Sequence, residues 1–209
     1  MAGTVLVTGG SGYIAGFIIR QLVAEGWTVR TTIRNLAREQ EVRGWLGIAD
    51  SRLSFFAADL MSDDGWADAV AGCRHVAHVA SPLPSNAPTR DDALIIPARE
   101  GALRALRFAH AAGVKRLVMT SSVAAIAYGH GRGKQRFTED DWTDVTSPDA
   151  YAYVKSKTIA ERAARDWMAA HGVGMEFVTV NPSLVLGPLM TGDFSTSLEA
   201  IKKLLEGSL

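Results

Sequence analysis

The sequence has one cysteine, no long apolar run and no excess of charge of either sign. Cys73 has no second cysteine to pair with, which excludes an internal disulfide and a cysteine-based metal site, so we interpret it as a small core residue. No apolar run reaches the roughly 18 residues that a membrane span needs. The 22 Lys and Arg residues balance 22 Asp and Glu residues, which gives no electrostatic reason to expect binding to nucleic acid or to an acidic membrane. The N-terminus shows no signal-peptide pattern, and we expect a cytoplasmic protein.

Short apolar strands alternate with longer helical segments along the chain. Helical patterns are predicted at about 12–25, 36–46, 63–70, 91–112, 150–170 and 195–205, with a disturbance at Pro97 in the fourth. The predicted strands are Thr4–Thr8, Trp27–Ile33, Leu53–Ala57, His75–Val79, Arg116–Thr120 and Met175–Val180. This alternation predicts an α/β fold with a doubly wound, mostly parallel sheet of the Rossmann type and helices on both faces. Ligands of such sheets bind at the carboxyl ends of the strands.

A glycine-rich turn directly follows the first predicted strand. Its spacing is Gly-x-x-Gly-x-x-Ala, beginning at Gly9. Gly9 permits a tight turn, and Gly12 leaves room for the backbone to approach a pyrophosphate. The helix that follows offers unsatisfied N–H groups to an anion. The turn therefore indicates a dinucleotide site.

The end of the second strand indicates which dinucleotide is bound. An NAD site has an acidic residue about 20 residues beyond the glycines, whereas this chain reads Thr-Thr-Ile-Arg-Asn up to Asn35. Arg34 is suited to pair with a 2′-phosphate, and Arg38 could assist it from the next turn. We therefore expect NADP(H). Asp59, after the third strand, is placed to accept from the adenine amino group or to cap the following segment.

Tyr153 and Lys157 form a Tyr-x-x-x-Lys pair on a predicted helix. Residues four apart share one helix face, so the lysine ammonium can lie near the phenol and favour its ionised form. The pair is suited to proton donation near neutral pH. Tyr151 and Lys155 have the same spacing two residues earlier.

These motifs together resemble the extended short-chain dehydrogenase/reductases, the NAD-dependent epimerase/dehydratase superfamily. Within it the chain is most similar to the dihydroflavonol reductase, cinnamoyl-CoA reductase and aldehyde reductase group. The motifs that carry the resemblance are Thr8-Gly-x-x-Gly-x-x-Ala, Asp59-Leu60, His78-Val-Ala-Ser-Pro82, Thr120-Ser-Ser122, Tyr153-x-x-Ser-Lys157-Thr-x-Ala-Glu161 and Asn181-Pro-Ser-Leu-Val-Leu-Gly-Pro188.

The resemblance implies roles for individual residues. Ser122, Tyr153 and Lys157 match the catalytic residues, and the family's serine directly before its lysine favours this pair over Tyr151 and Lys155. The cofactor-binding candidates are Gly9, Gly12, Tyr13, Ile14, Arg34, Asp59, Leu60, Val79, Ala80, Ser81, Tyr153, Lys157, Pro182, Val185 and Ser197. No metal ligand set is expected.

Three positions depart from the relatives that the chain resembles. Plant flavonoid reductases have a second basic residue where this chain reaches Glu41, and a substrate-binding asparagine where it has Ala127. The asparagine that many superfamily members place in the long central helix is also absent from Leu94–Glu100. A flavonoid substrate is therefore not indicated.

The resulting hypothesis is an NADPH-dependent reductase that transfers a hydride to an aldehyde or ketone, with Tyr153 as proton donor. A nucleotide-sugar epimerase or dehydratase with bound NAD, or a non-catalytic dinucleotide-sensing protein, remains open as an alternative. We expect a dinucleotide-binding domain at 1–190 and the start of a substrate-binding region at 191–209, with the rest of that region truncated. Family analogy suggests a homodimer through the helices at 91–112 and 150–170.

Overall fold

The computed structural model of the protein describes residues 3–49, 51–82, 90–131, 133–190 and 196–207. The strands are β1 (Thr4–Val7), β2 (Thr28–Ile33), β3 (Leu53–Ala57), β4 (His75–His78), β5 (Arg116–Thr120) and β6 (Glu176–Val180). The helices are α1 (Tyr13–Ala24), α2 (Glu39–Leu46), α3 (Trp66–Val70), α4 (Asp92–Ala111), α5 (Ala152–His171) and α6 (Thr196–Leu205). Short 3₁₀ turns lie at Leu36–Arg38 and Val123–Ala125.

The strands form one parallel sheet in the order β3-β2-β1-β4-β5-β6. β1 lies in the middle, where Val5 is in register with Val29 of β2 on one side and with His75 of β4 on the other. The strand order reverses direction between β1 and β4, which creates the crevice where such folds bind dinucleotides. The doubly wound parallel fold predicted from the sequence is confirmed.

Two hydrophobic cores hold helices on the two faces of the sheet. Alternate residues of a strand point to opposite faces, and β1 shows this directly. Leu6 belongs to the core formed with α3, α4 and α5, which also buries Cys73. Val5 and Val7 belong to the core formed with α1 and α2. Helices thus cover both sides of the sheet except for one face of β6, where Val178 and Val180 are about half exposed. The ends of the strands remain available for a site.

The strands agree with the sequence prediction to within one residue, and the local structure differs from it most clearly at three places. The segment from Leu36 begins as a 3₁₀ turn before α2 starts at Glu39. Helix α3 begins only at Trp66, because Gly65 has φ of +75°, outside the helical region. The disturbance expected at Pro97 does not occur, since α4 runs continuously through it. The sixth predicted helix was expected from 195, a position outside the described residues.

No helix among the described residues combines the length and apolar character needed to cross a membrane. Within the same ranges, no three His, Cys, Asp or Glu side chains lie close enough together to hold a metal ion.

Candidate active site

A cleft of about 820 Å³ opens at the carboxyl ends of the strands. Its volume falls in the range usual for cofactor sites. Most of the cofactor-binding candidates line it, namely Gly9, Gly12, Tyr13, Ile14, Arg34, Asp59, Leu60, Val79, Ala80, Ser81, Tyr153, Val185 and Ser197. Ser122, Lys157 and Pro182 are not among its lining residues. The candidates come from segments far apart in the sequence, and the sheet brings them together.

The glycine turn fits closely against the loop after β4. Gly9 has φ of +75°, and a Cβ atom at this position would lie 3.1 Å from Cα of Ala80. Gly12 precedes the first turn of α1, which contains no acidic residue. A helix start of this kind presents backbone N–H groups and a partial positive charge to an anion. The turn therefore fits a pyrophosphate group.

Thr8 joins the glycine turn to β4 through its buried hydroxyl. Its oxygen accepts hydrogen bonds from the backbone N–H groups of Val79 and Ala80, both at 3.0 Å. It also lies 3.0 Å from Nδ1 of His78. Because a hydroxyl has one hydrogen and its oxygen already accepts two, the hydrogen must go to Nδ1. His78 therefore carries its own proton on Nε2.

His78 is held in the neutral form. It is buried in the fold, and this burial, together with the positive charge of Lys157, lowers the pKa of His78 to about 3. The histidine thus acts as a fixed hydrogen-bond acceptor that orders the loop beside the cleft.

The His78→Asn variant should show a weaker loss of stability in acid. The folded pKa of His78 lies near 3 and the ordinary value is 6.5, so between these values the unfolded chain binds a proton that the folded chain does not. Stability is therefore lost as pH falls through this window, by up to about 1.4 kcal/mol per pH unit. Asparagine keeps an acceptor near Nδ1 and does not titrate. Urea unfolding at pH 7, 5 and 4 should give a shallower pH slope than the parent, with the exposed His171→Asn as control. Equal slopes in all three proteins would contradict the assignment.

Arg34 and Arg38 differ in their availability to a ligand. Arg34 is exposed and lines the cleft. The guanidinium of Arg38 donates to Glu41 through Nε at 2.8 Å and Nη2 at 3.2 Å, and it lies over the ring of Trp45. Glu41, at the position where the flavonoid reductases have a second basic residue, thus engages Arg38. Arg34 is the cation best placed for a 2′-phosphate.

Asp59 and Leu60 lie where β3 leads into the cleft. Asp59 Oδ1 accepts the backbone N–H of Met61 at 2.7 Å, which makes this carboxylate the cap of a turn. The backbone oxygen of Asp59 also accepts the indole N–H of Trp66 at 2.9 Å. These bonds hold the loop in place beside the cleft, and both expected roles of Asp59, capping and ligand contact, are compatible with its position.

Ser122 stands at the end of β5 with an oriented hydroxyl. It is buried, and its Oγ accepts the backbone N–H of Ala124 at 3.1 Å, capping the 3₁₀ turn. Its hydrogen remains able to donate to a ligand. Tyr153 packs on the small cluster of Ala124, Ala150 and Val154. The serine turn and the tyrosine ring are therefore neighbours.

Lys157 lies beneath Tyr153 at the inner side of the site. Its Nζ is 5.9 Å from the centroid of the Tyr153 ring and 3.5 Å from the backbone oxygen of Thr120. Burial lowers the pKa of Lys157 to about 8, although the negative charge of Glu161 opposes this effect. Tyr153 and Lys157 on α5 thus lie beside the end of β5, which Ser122 follows.

Tyr151 and Lys155 occupy different surroundings. Tyr151 precedes the first residue of α5 and is 57% exposed, and the partial burial of its phenol, followed by the influence of Tyr128, raises the pKa of Tyr151 to about 12. Lys155 forms an ion pair with Asp91, with Nζ 2.8 Å from Oδ2. The two side chains do not share the position that Tyr153 and Lys157 have at the strand ends.

The segment after β6 runs along the other side of the cleft. Pro182 is not among the residues that line the cleft, and its backbone oxygen accepts the N–H of Val123 at 3.0 Å. Val185 donates its N–H to Ser197 Oγ at 3.2 Å, and both line the cleft. This contact brings the start of α6 to the site.

A family model described as the NAD dependent epimerase/dehydratase family matches residues 5–208. The chain belongs to this family. The family predicted from the sequence is thereby confirmed.

Several named members of the epimerase/dehydratase family are similar to this chain. A dihydroflavonol 4-reductase of Hordeum vulgare is 33% identical over 99% of this chain and 60% of its own length. The cinnamoyl-CoA reductase CAD2 of Medicago truncatula is 36% identical over 100% of this chain and 65% of its own length. The yeast methylglyoxal/isovaleraldehyde reductase Gre2, solved in complex with NADPH, superposes with a TM-score of 0.86 at 26% identity, over 97% of this chain and 66% of that structure. The chain thus spans 60% to 66% of these family members.

The cleft of this epimerase/dehydratase family member also contains residues that sequence reasoning missed. Ala93, Leu94 and Pro97 reach it from the first turns of α4, and no local pattern marks them because the path of α4 depends on its packing against α5. Ser11 also lines the cleft and could have been found from its place inside the glycine turn. Glu161 stood within a recognised motif without an assigned role.

Proposed function

We propose that this protein is an NADPH-dependent reductase acting on the carbonyl group of an aldehyde or ketone. The observation that carries the proposal is the buried Lys157 ammonium beneath the ring of Tyr153, which itself lines a dinucleotide-sized cleft. A tyrosine beside a buried cation is suited to give up its proton, because the cation stabilises the phenolate that remains.

Different parts of the cleft suit the different groups of a nicotinamide dinucleotide phosphate. The glycine turn and the start of α1 suit the pyrophosphate, since a side chain at Gly9 would meet Ala80. Arg34 suits the 2′-phosphate, because a guanidinium forms forked, charge-assisted hydrogen bonds with phosphate oxygens. Tyr153, Val185 and Ser197 line the part of the cleft suited to the nicotinamide end.

Each of the three convergent side chains has a distinct task in the proposed reduction. Reduced nicotinamide supplies the hydride when the cofactor is bound. The hydroxyl of Ser122 donates a hydrogen bond to the carbonyl oxygen and orients it, and this bond strengthens as negative charge develops there. Tyr153 donates its phenolic proton to the same oxygen. Lys157 stabilises the phenolate that remains.

Similar proteins support the class of substrate. Two relatives are named as reductases of dihydroflavonol and of cinnamoyl-CoA, and a structural neighbour as a reductase of methylglyoxal and isovaleraldehyde. Carbonyl reduction is common to these names. Ala127 and Glu41, where plant flavonoid reductases have other residues, favour a simpler aldehyde or ketone over a flavonoid.

Titration of the protein with NADPH and with NADH, followed by a carbonyl screen, tests the proposal. We expect tighter binding of NADPH, and loss of its absorbance when aldehydes or ketones are added. Tighter binding of NADH would remove the argument from Arg34 and favour an epimerase or dehydratase. Binding of NADPH with no consumption across the whole carbonyl panel would contradict the reductase.

A further inference from the structure

Glu161 is a buried carboxylate that the proposed chemistry does not use. It lies one helical turn after Lys157 on α5 and is only 2% exposed. A buried charge is costly unless several hydrogen bonds and an opposite charge compensate for it. The position therefore requires an explanation beyond helix formation, for which alanine would serve better.

Donors from two elements surround the carboxylate. Arg165, one turn later on α5, donates to Oε1 through Nε at 3.0 Å and Nη2 at 2.8 Å. The hydroxyl of Thr179 on β6 donates to the same oxygen at 3.0 Å. Asn181, directly after β6, donates through Nδ2 to Oε2 at 2.9 Å. Glu161 thereby ties α5 to the end of β6.

The same network reaches the backbone of Ser122. Nδ2 of Asn181 also donates to the backbone oxygen of Ser122, at 3.0 Å. An amide nitrogen has two hydrogens, so it can serve both acceptors at once. Glu161 is therefore linked through a single side chain to the residue proposed to orient the substrate, while its own helix carries the proposed acid and its cation.

Glu161 remains ionised in this setting. Burial alone would raise its pKa, but hydrogen bonds from Ser121, Asn181, Arg165 and Thr179 outweigh burial, and the net pKa is lowered. The negative charge lies on the same buried side of α5 as Lys157.

Among the residues that the structure describes, few other groups could compensate for the burial of Lys157. On its own helix it faces Tyr153 and Glu161, and from β5 it meets the backbone oxygen of Thr120. From β4 the neutral His78 lies near it and contributes no negative charge. Glu161 is the group whose charge opposes the effect of burial on Lys157.

We propose that Glu161 is a positioning residue of this site: it locks α5 to the ends of β5 and β6 through Asn181, and its charge favours the ammonium form of Lys157. The proposal rests on the proposed function for its catalytic meaning. The effect of Glu161 on Lys157 can be measured without any turnover, so the role of Glu161 and the proposed function can fail separately.

The first experiment measures the protonation of Lys157 directly. Lysine labelled with ¹³C at Cε is followed by NMR from pH 6 to 11, and the Lys157 signal is identified by its loss in Lys157→Met. The parent should titrate near 8. Glu161→Gln should lower the midpoint by about one pKa unit, as expected for loss of a nearby opposite charge.

Arg165→Met should move the same midpoint upward. It removes the cation that partly neutralises Glu161, which strengthens the field of the carboxylate at Lys157. Opposite shifts in the two variants cannot come from general loosening of the fold. Arg165 also lies over the ring of Trp142, as does Arg162 at 4.8 Å, so Arg162→Met controls for that contact and should leave the midpoint unchanged.

Several outcomes decide the proposal. If neither Glu161→Gln nor Arg165→Met moves the Lys157 midpoint, the proposal is wrong. If Glu161→Gln does not fold, as shown by circular dichroism, Arg165→Met against Arg162→Met still decides the electrostatic part. Carbonyl reduction by the parent and by Glu161→Gln gives a further measurement. As the pH is raised, kcat of Glu161→Gln should fall at a lower pH than kcat of the parent, with little change in the KM for NADPH.

Failure of the proposed function gives a different pattern. A parent that reduces no carbonyl, but whose Lys157 midpoint moves as expected in the variants, would remove the reductase and leave the role of Glu161 intact. If the parent reduces a carbonyl, and kcat falls at the same high pH in the parent and in Glu161→Gln, the role of Glu161 is removed and the reductase remains.

Discussion

The Tyr153→Phe variant is expected to lose about 10²–10⁴-fold in kcat, the usual contribution of a positioned proton donor. Phenylalanine keeps the ring that packs on Ala124, Ala150 and Val154, so the fold and the cleft should be preserved. It removes only the hydroxyl that donates to the forming alkoxide. Affinity for NADPH, measured by fluorescence titration, should stay nearly unchanged.

The neighbouring tyrosine provides a matched control for this loss. Tyr151→Phe removes the same atom two residues earlier, from a ring whose centroid is 6.4 Å from that of Tyr153. It should retain most of the parent kcat. If Tyr151→Phe were the inactive variant and Tyr153→Phe the active one, the proton donor would have to be reassigned. If both variants kept the kcat of the parent, neither Tyr151 nor Tyr153 would be the proton donor.

Loss of the Arg34 guanidinium should weaken NADPH binding by about 10- to 100-fold, which corresponds to the 1.5–3 kcal/mol of a hydrogen bond to a charged group. In Arg34→Ser the affinity for NADH should change little, because NADH has no 2′-phosphate. Isothermal titration with each cofactor measures the affinities for NADPH and NADH and hence their ratio. The effect should shrink as salt is raised, since an exposed cation is screened.

Two further variants show whether the effect belongs to this position. Arg20→Ser removes the same charge from the exposed side of α1 and should leave the ratio of the two affinities unchanged. Arg38→Ser should have a smaller effect than Arg34→Ser, because Glu41 already engages the Arg38 guanidinium. Equal losses for NADPH and NADH in Arg34→Ser would show that the side chain does not read the 2′-phosphate.

Local sequence was sufficient for the strands and for the glycine turn. Strand periodicity placed β5 at Arg116–Thr120, the bounds that the structure has. Gly9 was identified because a tight turn needs a residue that tolerates positive φ, and it has φ of +75°. Such features depend on backbone preferences and on residues close in the chain, which a single sequence displays.

The start of α3 and the course of α4 were less well predicted. Gly65 delays α3 because its φ of +75° lies outside the helical region, and a Cβ atom there would strike the backbone oxygen of Ala57 at the end of β3. Pro97 was expected to disturb α4, but the helix is held by its packing against α5 and the sheet. The helix propensity of one residue contributes little to stability, and tertiary packing can override it.

By itself the sequence determined the α/β alternation, the family and the spacing of Tyr153 and Lys157, because each depends on periodicity or on neighbours in the chain. Only the tertiary structure decided that Arg38 is engaged by Glu41, that α4 lines the cleft and that Glu161 reaches Ser122 through Asn181. These contacts depend on the packing of side chains on separate elements, and the distance between elements is set by the buried core rather than by any local pattern.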